Sequence, residues 1–154
     1  MDLHSPGHVA LRKGRVSLPH TAYLITSITQ KRQFFFSDFA AGCAAARCFE
    51  DQELLNGCRM LAWVLMPDHV HWLIQLGPDP HLESLVNRLK SASARLANRS
   101  LGRRGPLWAS AFHDRALRRE EDLRAIARYL VANPIRAGLV RSVGDYPFWN
   151  ATWL

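Results

Sequence analysis

Cysteine is scarce in this chain. Among its 154 residues there are three, Cys43, Cys48 and Cys58. An odd number with no C-x-x-C pair argues against a disulfide framework and against a cysteine zinc site. The reading left is buried thiols in a reducing compartment. Long apolar runs are missing too. The best candidate for a membrane span is broken by Pro67, Asp68, His69 and His71, well short of the roughly 20 residues a span requires. The early residues Asp2, His4 and Pro6 do not resemble the apolar core of a signal peptide. A cytoplasmic protein with no membrane partner is expected. Acidic residues are also in short supply, 13 against 20 lysines and arginines, for a formal net charge of +7. That excess suits a polyanion such as DNA or RNA, and it equally describes a merely basic soluble protein. No internal repeat, low-complexity tract or linker divides the chain.

What is present describes one folded domain. Hydrophobic residues make up 48% and aromatics 10%, enough for a real core at this length. Residues 1–20 read as a basic arm carrying Arg12, Lys13 and Arg15, and residues 21–154 as a single domain. Residues 22–29 are rich in β-branched and aromatic types and predict a strand. Ser37 and Asp38 offer caps for an alanine-rich helix over 39–49. A loop through Asn56 and Gly57 leads to a strand over 60–65. The turn at Met66-Pro67-Asp68 then makes a hairpin with the strand that follows. Asp79-Pro80 suits a helix opening, and Leu82, Leu85, Val86, Leu89 and Leu96 fall at helical spacing, so residues 80–99 predict an amphipathic helix. Residues 107–117 read as extended. A last helix runs from about Glu120 to Ala132, with Glu120, Glu121 and Asp122 in its first turn. The aromatic tail through Tyr146, Phe148, Trp149 and Trp153 is expected to pack on the domain.

The chain is organised around His69-Val70-His71-Trp72. A strand repeats every two residues, so both histidines share one face, and Val70, Trp72, Ile74 and Leu76 share the other. Imidazoles about 6–7 Å apart along a strand can close on one metal ion. They can equally be two polar residues on a solvated sheet face. Downstream, Tyr129 and Asn133 lie one turn apart on the shoulder of the last helix. Alone, such a tyrosine is a packing residue and an asparagine before proline is a cap.

Together these motifs are specific. Met66-Pro67-Asp68-His69-Val70-His71, followed by Tyr129-Leu130-Val131-Ala132-Asn133-Pro134-Ile135-Arg136-Ala137-Gly138-Leu139-Val140, resembles the single-tyrosine HUH transposases. Within them the chain is most similar to the REP-associated tyrosine transposases, with Arg12-Lys13-Gly14-Arg15 and Tyr146-Pro147-Phe148-Trp149 adding to the likeness. The resemblance implies an α+β, ferredoxin-like antiparallel sheet with helices packed on it and the histidine strand at its centre. It implies a divalent ion, Mg2+ or Mn2+, held by His69, His71 and the side-chain oxygen of Asn133. It implies Tyr129 as the nucleophile toward a DNA phosphate. The implied partner is single-stranded DNA beside a palindromic hairpin, with the basic arm helping to read a tetranucleotide at its foot. Arg88, Lys90, Arg95, Arg99, Arg103 and Arg104 are candidates for phosphate contacts along the strand. Trp108 is assigned to the core, and His113 and Asp114 to structural roles. Related enzymes include dimers that swap the tyrosine helix, so monomer and homodimer both stay open. The competing reading is a non-catalytic nucleic-acid-binding domain of RNA-recognition-like architecture.

Overall fold

The computed structural model describes residues 17–79, 81–119 and 121–153. Arg12, Lys13 and Arg15 of the predicted arm lie outside the described residues. Five strands form one antiparallel sheet: β1 Ala22–Ile28, β2 Arg59–Met66, β3 His69–Gln75, β4 His113–Ala116 and β5 Trp149–Ala151, in the order β4-β1-β3-β2-β5. The first four strands have the ferredoxin-like order, and β5 is added outside β2. The expected α+β sheet is therefore present, and the histidine strand lies at its centre.

Register follows the patterning. β3 pairs His69 with Ile28 and His71 with Thr26 on β1. On β2 the partners are Met66 and Val64. Val70, Trp72, Ile74 and Leu76 are buried as predicted. Trp72 packs edge-on against Phe49 at 5.4 Å between ring centroids and lies 6.3 Å from Trp108. The indole N–H of Trp108 donates to Ser93, which ties this face to helix α3, Leu82–Leu101. Helix α1, Phe39–Ala46, packs against α3. The other face is not solvated. Leu73, which alternates with the histidines, is fully buried, and helix α4, Leu123–Val131, packs against β2 with Ala127, Leu130 and Val131 buried. The picture of two histidines on an open polar face is thus wrong. They sit where a covered sheet meets a helix.

Several boundaries differ from the sequence reading. Helix α1 ends at Ala46, and a further short helix, α2 Gln52–Leu55, forms where a loop was expected. Asp51 creates it by accepting from the backbone N–H groups of Glu53 and Leu54. Helix α3 opens at Leu82, two residues beyond the predicted Asp79-Pro80 start, with His81 as its flanking residue. Asp79 instead pairs with His81 at 3.0 Å. Helix α4 also opens late, because Asp122 is its cap and not part of its first turn. Glu121 turns back to accept from the backbone of Arg118 and the guanidinium of Arg115. Asn133 does not lie on α4. It begins a separate turn, α5 Asn133–Arg136, where proline at the opening is harmless. The tail does pack, and three of its residues become β5.

Candidate active site

The Pro67–Asp68 turn delivers the two histidines, and each is held from outside. Nδ1 of His69 lies 2.7 Å from Oδ1 of Asp68. The other carboxylate oxygen of Asp68 accepts from Arg32 at 3.2 Å. Nδ1 of His71 lies 2.8 Å from the hydroxyl of Thr26, its register partner on β1. The imidazole centroids are 4.9 Å apart with the rings nearly perpendicular. With both Nδ1 atoms engaged, both Nε2 atoms are left for a ligand. This is the usual outer arrangement around metal-binding imidazoles.

Electrostatics keeps His71 neutral. Burial pushes its pKa down to about 3, and the nearby His69, Arg136 and Arg32 add to the effect. A neutral imidazole offers a lone pair at any ordinary pH. For Asp68, burial is the largest single influence and acts upward. Its contacts with His69 and Arg32 outweigh that, and the carboxyl is held below the ordinary range. It remains an anion able to orient His69.

Tyr129 stands on α4 with 69% of its surface exposed. The guanidinium of Arg136, one helical segment later, lies 3.7 Å from the centre of its ring, a cation–π contact that fixes the ring's attitude. A cleft of about 320 Å³ runs between β1, β4 and α4. Its walls include His71, Tyr129, Asn133, Arg115, Leu24 and Leu130. Residues from four parts of the chain therefore border one space. His69 lies beyond that lining, toward the turn.

For a divalent cation the donor chemistry fits. Among the described residues no cluster of three or more histidines, cysteines or carboxylates is placed to hold a metal. Two imidazoles supported through Nδ1 and the amide oxygen of Asn133 can supply a set with room for substrate and water.

The described cations among those expected to bind DNA have the following surroundings. Arg88 donates to the carbonyl of Leu54. Lys90 donates to the carbonyl of Ala109 at 2.7 Å and reaches those of Ser110 and Ala111, and burial lowers its pKa. Arg103 binds Asn98 and Pro106 and lies over the ring of Phe35. Arg95 borders a groove with Cys48 and Asp51. Arg99 and Arg104 are exposed. Arg88, Lys90, Arg95 and Arg99 ride on α3, behind the sheet from the histidines. Among the described residues, the arginines that reach the site are Arg32, Arg115 and Arg136, none of which the sequence reading singled out. Asp68 and Thr26 were likewise passed over. Asp68 is the only one with a local signal, since it abuts His69. Asp114 is buried, as a structural residue should be.

A ferredoxin-like antiparallel sheet thus carries two histidines on its central strand, and one of them, His71, shares a cleft with the exposed Tyr129. The family model described as Transposase IS200 like matches residues 18–133, and the chain belongs to that family. The chain is 29% identical over 89 residues to the REP-associated tyrosine transposase of Escherichia coli (strain K12), covering 56% of this chain and 50% of that protein. It is 31% identical over 86 residues to the ISDra2 transposase TnpA of Deinococcus radiodurans, covering 55% and 60%. The chain spans about half the length of the curated relatives it matches. A solved REP-associated tyrosine transposase bound to a REP hairpin superposes with a TM-score of 0.67 at 21% identity, over 88% of this chain and 79% of the other. That likeness is one of fold. Among the described residues no helix is long and apolar enough to cross a membrane.

Proposed function

We propose that this chain is a transposase-type DNA strand transferase. It cuts single-stranded DNA beside a palindromic hairpin and stores the cleaved linkage as a 5′-phosphotyrosine. The single observation that carries this reading is the cleft shared by His71, Tyr129 and Asn133. Family membership and the named activities of its relatives support it.

A phosphodiester resists nucleophiles because its oxygens are already negative. Mg2+ or Mn2+ bound by His69, His71 and Asn133 would supply charge neutralisation on those oxygens. The protein's own groups do the rest. Thr26 and Asp68 aim the imidazoles, and Arg136 holds the phenol ring. Arg115 lines the same cleft and offers positive charge to the phosphate. The Tyr129 oxygen attacks phosphorus, the bond to the 3′ oxygen breaks, and the DNA leaves with a 3′ hydroxyl. The phenolic proton goes to solvent and the departing oxygen takes one up. Tyrosine suits this task better than water because the new ester can be rejoined by another DNA hydroxyl.

The test is direct. End-labelled hairpin DNA with single-stranded flanks is incubated with the protein and Mg2+ or Mn2+. A label that stays on the protein in denaturant supports the reading, and Tyr129→Phe abolishes it while DNA affinity stays within about twofold. Tight binding with no adduct under any divalent ion would favour the non-catalytic binder.

A further inference from the structure

The segment between β1 and α1 makes two tight turns, Gln30–Arg32 and Phe35–Ser37. Three consecutive phenylalanines within it have different fates. Phe36 is buried and lies 5.4 Å from Trp108. Phe35 is half-buried beneath the Arg103 guanidinium, 4.4 Å away. Phe34 is 66% exposed. The backbone that presents it is fastened on several sides. The Thr29 hydroxyl donates to the carbonyls of Gln33 and Asp68. The backbone N–H of Gln30 donates to Leu107, and that of Phe36 to Pro67. Lys31 and Arg32 both sit at φ 56°, a left-handed conformation that ordinary side chains avoid. Strain of this kind persists where the surroundings enforce it, and it gathers at functional segments. The loop is therefore a rigid mount for an apolar ring.

Its position and charge narrow the occupant. Arg32 reaches Asp68, which holds His69, so the mount adjoins the histidine end of the site. Lys31 is exposed three residues from Phe34. The carboxylates in the neighbourhood are committed: Asp68 to Arg32 and His69, Asp38 to the backbone N–H of Ala41 at the opening of α1. An exposed ring with cations beside it matches the way proteins bind unpaired nucleotides, by base stacking and phosphate contact.

The geometry points to a subsite for one unpaired base of single-stranded DNA, stacked on Phe34, with Lys31 against the adjacent phosphate. This rests on the function proposed above and deepens it. The subsite fixes how the strand enters past His69 toward Tyr129. Because any base has a stacking face, it selects for a single strand and not for a sequence.

The experiment reads binding, not cutting. Full-length protein carrying Tyr129→Phe is titrated in EDTA against two labelled hairpins, one blunt and one with a single-stranded flank of about ten nucleotides. Adding Phe34→Ala is expected to weaken the flanked hairpin roughly tenfold and to leave the blunt one within about twofold. Phe34→Trp restores affinity. Lys31→Ala lowers the salt slope of flanked-hairpin binding by about one. Equal affinity of the Phe34→Ala protein for the flanked hairpin overturns the subsite while leaving the proposed enzyme intact. Failure of the parent protein to bind either hairpin overturns both. If Phe34→Ala instead converts a dimer to a monomer in sedimentation and leaves DNA affinity alone, the ring is a contact between copies and the subsite is refuted.

Discussion

The hydroxyl of Thr26 lies 2.8 Å from Nδ1 of His71, across the β1–β3 ladder in direct register. A strand pairing chosen by the fold thereby sets the orientation of a candidate ligand. Thr26 is itself buried, so the contact is sheltered from competing water. Thr26→Val keeps the shape and removes the partner. Loss of such an outer contact costs about 10–100-fold in metal affinity. The expected result is a matching rise in the Mg2+ or Mn2+ concentration needed for half-maximal adduct formation. An unchanged metal requirement would detach Thr26 from the site.

Arg136 is expected to matter through Tyr129. Its guanidinium lies against the phenol ring, and both residues are exposed, so neither contributes much to the core. Arg136→Ala should slow adduct formation by roughly tenfold or more, by analogy with the loss of one positioned cation near a phosphate. Melting temperature should move little. Arg136→Lys should recover only part of the rate, because a point charge does not reproduce a planar stack.

Gly42→Ala should destabilise, against the usual preference of helices for alanine. Gly42 lies in α1, where a Cβ would collide with the Phe148 ring. The alanine gains about 1 kcal/mol in helix propensity. Displacing a packed aromatic costs about 1–3 kcal/mol. The tail anchored by Phe148 is expected to loosen, giving a lower urea midpoint and faster proteolysis after residue 140. A more stable variant would mean that the ring yields freely.

Tyr146 supplies a pH signature. Its hydroxyl donates to the backbone carbonyl of Leu65, and burial pushes its pKa up to about 12. A raised pKa contributes stability that is complete below the unfolded value, about 10, and is lost as pH rises through the folded one. Relative to Tyr146→Phe, wild-type stability should hold level to about pH 10 and then fall through pH 12. At neutral pH the variant should lose about 1 kcal/mol for the missing hydrogen bond. Parallel curves for the two proteins from pH 8 to 12 would contradict the assignment.

The long elements were legible because their periodicity is strong. Alternation in β3 separates Trp72 from His71 with no help from tertiary structure, and the leucines of α3 mark its buried stripe. The short elements left too little pattern. Helix α2 and α5 have four residues each and β5 has three, so capping, proline placement and edge pairing decide them. The site divides in the same way. His69 and His71 announce themselves two residues apart, whereas Arg32 meets Asp68 across 36 positions, and nothing local records that meeting. Charge alone does not report local contacts: the side chains of Arg88 and Lys90 bind the carbonyls of Leu54 and Ala109, partners distant in the sequence.

The outermost strands of the sheet, β4 and β5, are only four and three residues long. A margin that brief presents few open backbone donors and acceptors to a passing chain. Two copies that met in solution would find little there to pair with. The truncated margins leave such an encounter little to zip onto, so the topology itself guards against strand-to-strand pairing between copies.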